Sequence, residues 1–159
     1  MAKMQLEIPS EILKQFKDLA NGGATKMMEE MTQAGAEVAY NNIQKNIQGK
    51  FQDPASLLPY LKITRTYKTP SDSGINTKVA FYGYKPKEDG SKFKITKTLK
   101  KGKKETYEYD GVPVPLIIMA REYGTSKGEA KKPFVRKSFN KQQITEEMMK
   151  VQRKYIKDE

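Results

Sequence analysis

Apolar positions recur along this chain with two periods, and the change of period divides it into helix, strand and helix again. Met4, Leu6 and Ile8 alternate and predict a short strand before Pro9-Ser10. Ile12, Leu13, Phe16 and Leu19 then fall at helical spacing, and Asn21-Gly22-Gly23 predicts the stop. A longer helix follows, with Thr25 as its expected N-cap and Glu29-Glu30 early, where the helix dipole favours negative charge. Its stripe is Met27, Met31, Ala34, Val38, Ile43 and Ile47, running to about Gln48-Gly49, roughly 37 Å at ~1.5 Å per residue. Ala34, Gly35, Ala36 and Ala39 leave small surfaces on which another helix can pack closely. The early methionines are read as core filler in preference to a soft partner groove.

After Asp53-Pro54 and one expected helical turn at Ala55–Leu58, the period shortens. Leu61, Ile63, Arg65 and Tyr67 predict one face of a strand to Lys68. Thr69 to Gly74 reads as a loop, and Asn76 to Tyr84 as the next strand, with Val79 and Phe81 opposite Ala80 and Tyr82. Asp89-Gly90 and Lys101-Gly102-Lys103 are turn signals bracketing Phe93, Ile95 and Leu99; Tyr107 and Tyr109 return on one face. Residues 85–111 are therefore expected to be a protruding β-hairpin with one apolar and one basic face.

From Leu116 an apolar run leads through Arg121-Glu122-Tyr123 to Gly124, where positive φ without a Cβ clash predicts a helix stop. A polar link ends at Pro133, which suits a first helical turn. The last helix is predicted from about Phe134 to Lys157, with Val135, Phe139, Ile144, Met148, Val151 and Tyr155 as its stripe and Asp158-Glu159 fraying. Helices, then strands, then helices predict one α+β domain over 1–159, a small antiparallel sheet packed with two long helices.

Composition narrows the functional classes. Hydrophobic residues are 36% of the 159, and the mean hydropathy is −0.79, a lean core that suits burial of apolar surface against other subunits or partial disorder. The chain has neither Cys nor His. That excludes disulfides, thiol nucleophiles, serine–histidine triads and histidine-based zinc sites. The adjacent carboxylates Glu29-Glu30, Glu88-Asp89 and Glu146-Glu147 do not face each other on a helix, so no catalytic residue, metal ligand or cofactor is assigned. No phosphate-loop motif occurs. The first residues do not read as a signal peptide, and no apolar run suits a membrane span, so a soluble chain made in a reducing compartment is expected.

The net charge is +11, and residues 85–104 hold nine lysines against Glu88 and Asp89. Lysines interleaved with aromatics bind nucleic-acid backbones and stack bases, so Lys92, Lys94, Lys97, Lys100, Lys101, Lys103 and Lys104 form a candidate phosphate-contacting patch. The hairpin has no Arg, which disfavours base-specific readout. The alternatives are lysines guarding a strand edge, or an aromatic face packed on the sheet or a neighbouring subunit.

Ala120-Arg121-Glu122-Tyr123-Gly124-Thr125-Ser126, followed by Lys132-Pro133-Phe134-Val135-Arg136, resembles the pattern A-x-x-E-[FY]-G-T-S … [KR]-P-F-[LV]-R of the gene-ten-like tail-component family of long-tailed bacteriophages. These are tail-completion or neck proteins of the head–tail junction. The chain departs from the family after the long helix, where Asp53–Leu58 replaces T-G-x-L-[RK]-x-S-[IL], and its hairpin is longer. The resemblance implies a non-enzymatic virion protein, made in the bacterial host cytoplasm. It implies a ring, commonly a hexamer, around the channel through which genomic DNA passes, touching neighbouring neck and tail proteins. No membrane or small-molecule partner follows from it. Under this reading Gly124 and Pro133 are structural turns, and Phe93, Ile95, Tyr107, Tyr109, Tyr123 and Phe134 are the docking candidates. The rival reading is a basic, non-sequence-specific nucleic-acid binder.

Overall fold

A computed structural model describes residues 10–69, 74–128 and 130–156; the strand expected at Met4–Ile8, most of the loop after Thr69 and the chain end at Asp158-Glu159 lie outside them. The fold is α+β, with four α-helices and two-stranded antiparallel pairings among the described residues. It divides into two compact units. One comprises Met1–Ala39, Thr64–Lys78 and Asn140–Glu159; the other Tyr40–Ile63 and Val79–Phe139.

In the first unit, α1 (Ser10–Asp18) meets the start of α2 (Ala24–Lys50) through a π-helical segment, Leu19–Gly23. The expected stop is there as a kink: Gly22 has φ +99°, which glycine alone adopts freely. Thr25, however, is not an N-cap. Ala24 already has helical dihedrals and its N–H bonds the Leu19 carbonyl, so the helix runs straight through Thr25. The small-residue surface does receive a helix. A Cβ on Gly35 would lie 3.1 Å from Ile144 Cγ2 and 3.3 Å from Met148, both on α4 (Lys141–Tyr155). Tyr155 Oη donates to Glu30 Oε1 at 2.7 Å, which raises the phenol's pKa.

The last helix starts later than Phe134. Asn140 caps α4, its side chain accepting the N–H groups of Gln142 and Gln143 at 3.1 and 3.3 Å. Arg136–Ser138 is a separate 3₁₀ turn, and Phe139, expected on the helix stripe, is 51% exposed.

The strand expected at Leu61–Lys68 is two pieces, β1 (Leu61–Ile63) and β2 (Tyr67–Lys68). The single strand expected at Asn76–Tyr84 is three, β3 (Ile75–Asn76), β4 (Val79–Phe81) and β5 (Tyr84–Lys85). Ile63 pairs with Val79, but Tyr67 pairs with Asn76, so Thr64, Arg65 and Thr66 stand opposite only Thr77 and Lys78. That is a β-bulge. Thr64 N–H bonds the Lys78 carbonyl at 2.8 Å and Thr66 Oγ1 meets Thr77 Oγ1 at 2.8 Å, leaving Arg65 as the extra, exposed residue. Arg65, expected on one face with Leu61, is exposed, whereas Leu61 is buried. Gly83, at φ +98°, separates β4 from β5.

The second unit holds the main core: Ile43, Ile47, Leu57, Leu61, Phe81, Val114, Ile118 and Phe134. Ile43 and Ile47, expected from the α2 stripe, are buried there. β1 pairs with β4, and β5 with β8 (Val112–Pro113). β6 (Phe93–Thr98) and β7 (Lys104–Tyr109) form the expected hairpin, closed by a turn at Lys100–Gly102. Then α3 (Val114–Tyr123) ends at Gly124, whose φ +82° and ψ 177° suit glycine, as expected.

Candidate docking site

The stripe Val114–Ile118–Glu122, at i, i+4 and i+8, is the buried side of α3. Its last member is a carboxylate, 3% exposed. Glu122 Oε2 accepts the N–H groups of Phe134 and Val135 at 2.8 and 3.0 Å. Its Oε1 accepts the N–H and Nε of Arg136 at 3.2 and 3.0 Å. Burial pushes Glu122 toward the neutral acid, but these donors outweigh it and hold its pKa below the ordinary value. Glu122 therefore caps the turn that begins at Phe134. This corrects the role expected of Pro133. It does not open the last helix; the turn behind it is capped by a side chain from across the loop.

Three residues of α2 at i, i+4 and i+8 hold the same turn. Asn42 Nδ2 donates to the Ser138 carbonyl at 3.1 Å, Asn46 Nδ2 to Ser138 Oγ at 2.7 Å, and Lys50 Nζ to the Pro133 carbonyl at 2.7 Å. Phe134 is 0% exposed, with Phe51 edge-on at 4.9 Å between ring centroids. It anchors the core and so is withdrawn from the docking candidates, because no surface of it is left to offer. Tyr123 is 58% exposed, with the Arg136 guanidinium 4.9 Å from its ring centre. Leu116, Met119 and Tyr123, at i, i+3 and i+7, make the outer side of α3 an exposed apolar stripe.

The hairpin brings Phe93, Ile95, Tyr107 and Tyr109 onto one face, since Phe93 pairs with Tyr109 and Ile95 with Tyr107. Tyr109 stacks on Tyr84 at 5.2 Å. The candidate lysines do not all share one face of the hairpin. Lys94 pairs with Glu108 at 2.7 Å and Lys103 with Glu105 at 3.3 Å, while Lys97 lies 5.3 Å over Tyr107 on the aromatic face. Lys92, Lys100 and Lys104 are exposed, and the side chain of Lys101 lies outside those described. The face expected to be basic is mixed: Lys94 stands opposite Glu108, Thr96 opposite Thr106, and Thr98 opposite Lys104.

Glu122 had no role assigned from sequence, although a signal was present: a carboxylate continuing an apolar i, i+4 stripe must find buried donors. Among the described residues no cluster of potential metal ligands occurs, and no helix is long and apolar enough to cross a membrane. No family model, curated protein or solved structure matches the chain.

Proposed function

We propose that this chain is a structural protein of the bacteriophage neck, completing the tail and joining it to the capsid as an oligomeric ring, a hexamer by resemblance, around the DNA channel. The observation that carries the reading is the Glu122 network. The two halves of the resembling motif, Glu122-Tyr123-Gly124 and Pro133-Phe134-Val135-Arg136, lie together as one hydrogen-bonded unit. Its one described carboxylate is engaged by four donors, which supports a structural role for the motif. Two apolar surfaces support assembly: the exposed Leu116–Met119–Tyr123 stripe and the partly exposed aromatic face of the hairpin. Their burial between subunits would contribute about 25 cal/mol per Å².

The nucleic-acid reading is weaker, because Lys94 and Lys103 are matched by Glu108 and Glu105. Sedimentation and negative-stain microscopy of the purified chain, alone and with isolated tails, test the proposal. A discrete ring, or one formed on the tail, is expected. A monomer that ignores tails and binds DNA with steep salt dependence sinks it.

A further inference from the structure

A second feature of the same unit is polar, concave and absent from the neck reading. The C-terminal end of α2 and the loop after α3 enclose a cleft of about 720 Å³ lined by Lys50, Phe51, Asp53, Arg121 and Lys132. That is the size range of ligand sites, about 300–1,000 Å³. Three of its walls are cations. Arg121 is half-buried, with its guanidinium carbon 4.8 Å from the Phe51 ring centre. Lys50 is tethered through the Pro133 carbonyl, and the Lys132 N–H bonds the Arg121 carbonyl at 2.8 Å. None of the three has a carboxylate partner among the described residues. Asp53, the remaining charge in the lining, is turned to its own chain and accepts the Ser56 N–H at 3.3 Å.

We propose that this cleft docks a carboxylate-bearing peptide segment of a partner protein. A guanidinium recognises a planar oxyanion in bidentate fashion, and Arg121 has no carboxylate partner among the described residues. The choice of peptide over nucleic acid rests on two observations. Phe51 is covered by Arg121 on one side and by Phe134 at 4.9 Å, so it offers no stacking platform for a base. Asp53 sits in the lining, where its charge would repel a continuous polyanion more than a single acidic side chain. The inference does not rest on ring assembly.

Fluorescence anisotropy of a labelled peptide carrying a single glutamate in an otherwise neutral sequence, with the full chain, tests it at near-physiological salt. The double variant Arg121→Gln, Lys132→Gln is expected to weaken binding about tenfold. Lys100→Gln with Lys104→Gln removes the same charge from the hairpin and is expected to change it by less than about twofold. Lys132→Gln alone, at an exposed position that does not threaten folding, is expected to lose about threefold. Equal loss in both double variants, or no binding by the wild type, overturns the proposal. So does a DNA duplex that binds more tightly than the peptide and depends on Arg121 and Lys132.

Discussion

Glu122 Oε2 accepts the backbone N–H of Phe134 at 2.8 Å, a hydrogen bond that reaches across twelve positions of chain. A charged acceptor thus fixes the residue whose ring fills the core. Glu122→Gln keeps the shape but leaves an amide N–H₂ facing backbone donors. It is expected to destabilise the fold by about 2–4 kcal/mol, measured by urea denaturation.

The same carboxylate sets an acid limit. Its pKa is lowered in the folded chain, so the unfolded chain binds more protons between the two values, and stability rises with pH there. The contribution is complete above the ordinary carboxylate pKa of about 4.3 and is lost as pH falls through the folded value. Melting temperatures of the wild type should drop in that acid window, and those of Glu122→Gln should drop less. Parallel curves would refute the assignment.

At Gly35 the neighbours decide the sign. Gly35→Ala gains up to about 1 kcal/mol of helix propensity but presses a methyl on Ile144 and Met148 at 3.1 and 3.3 Å, so a near-neutral result is expected. Gly35→Leu has no room and should cost about 1–3 kcal/mol, read from the denaturation midpoint.

The outer stripe of α3 separates folding from assembly. Replacing Leu116, Met119 and Tyr123 by Gln touches only exposed side chains, so each change should alter stability by no more than about 0.5 kcal/mol. Under the neck reading the triple variant sediments as a folded monomer. A variant that still forms rings would place the subunit contact elsewhere.

The hairpin makes a second, independent demand on assembly. Replacing Lys92 to Tyr107 by a short Gly-Ser link removes a ladder that packs mainly on itself, so circular dichroism should still report a folded chain. Ring formation or tail joining should be lost. Rings from the shortened chain would remove the hairpin from the interface.

Local signals were legible where a residue acts on its own neighbourhood. Gly124 stops α3 by its own backbone, Ile43 and Ile47 sit one turn apart on one face, and the hairpin register follows from alternation between two turns. The Asn140 cap was legible too, an Asn before a helical run, but Pro133 drew the helix start seven residues early. Two features depend on partners distant in sequence. The bulge at Arg65 depends on what stands opposite, and alternation within one strand cannot reveal an extra residue. The donors around Glu122 become neighbours only when the loop has closed. The cleft is built the same way, from Lys50 and Arg121, which lie in different stretches of the sequence of its unit.

The loop from Gly124 to Pro133 is tied off at its base, by the Lys132 N–H on the Arg121 carbonyl and by Glu122 on the turn behind it. Its two ends are thus held by the body of the protein, whatever the chain between them does. Such a segment is an exchangeable cassette. Its length and lettering could change while the two ties stay in place; and because Ala130 and Lys132 line the cleft, under the docking proposal a change there would alter what the cleft accepts.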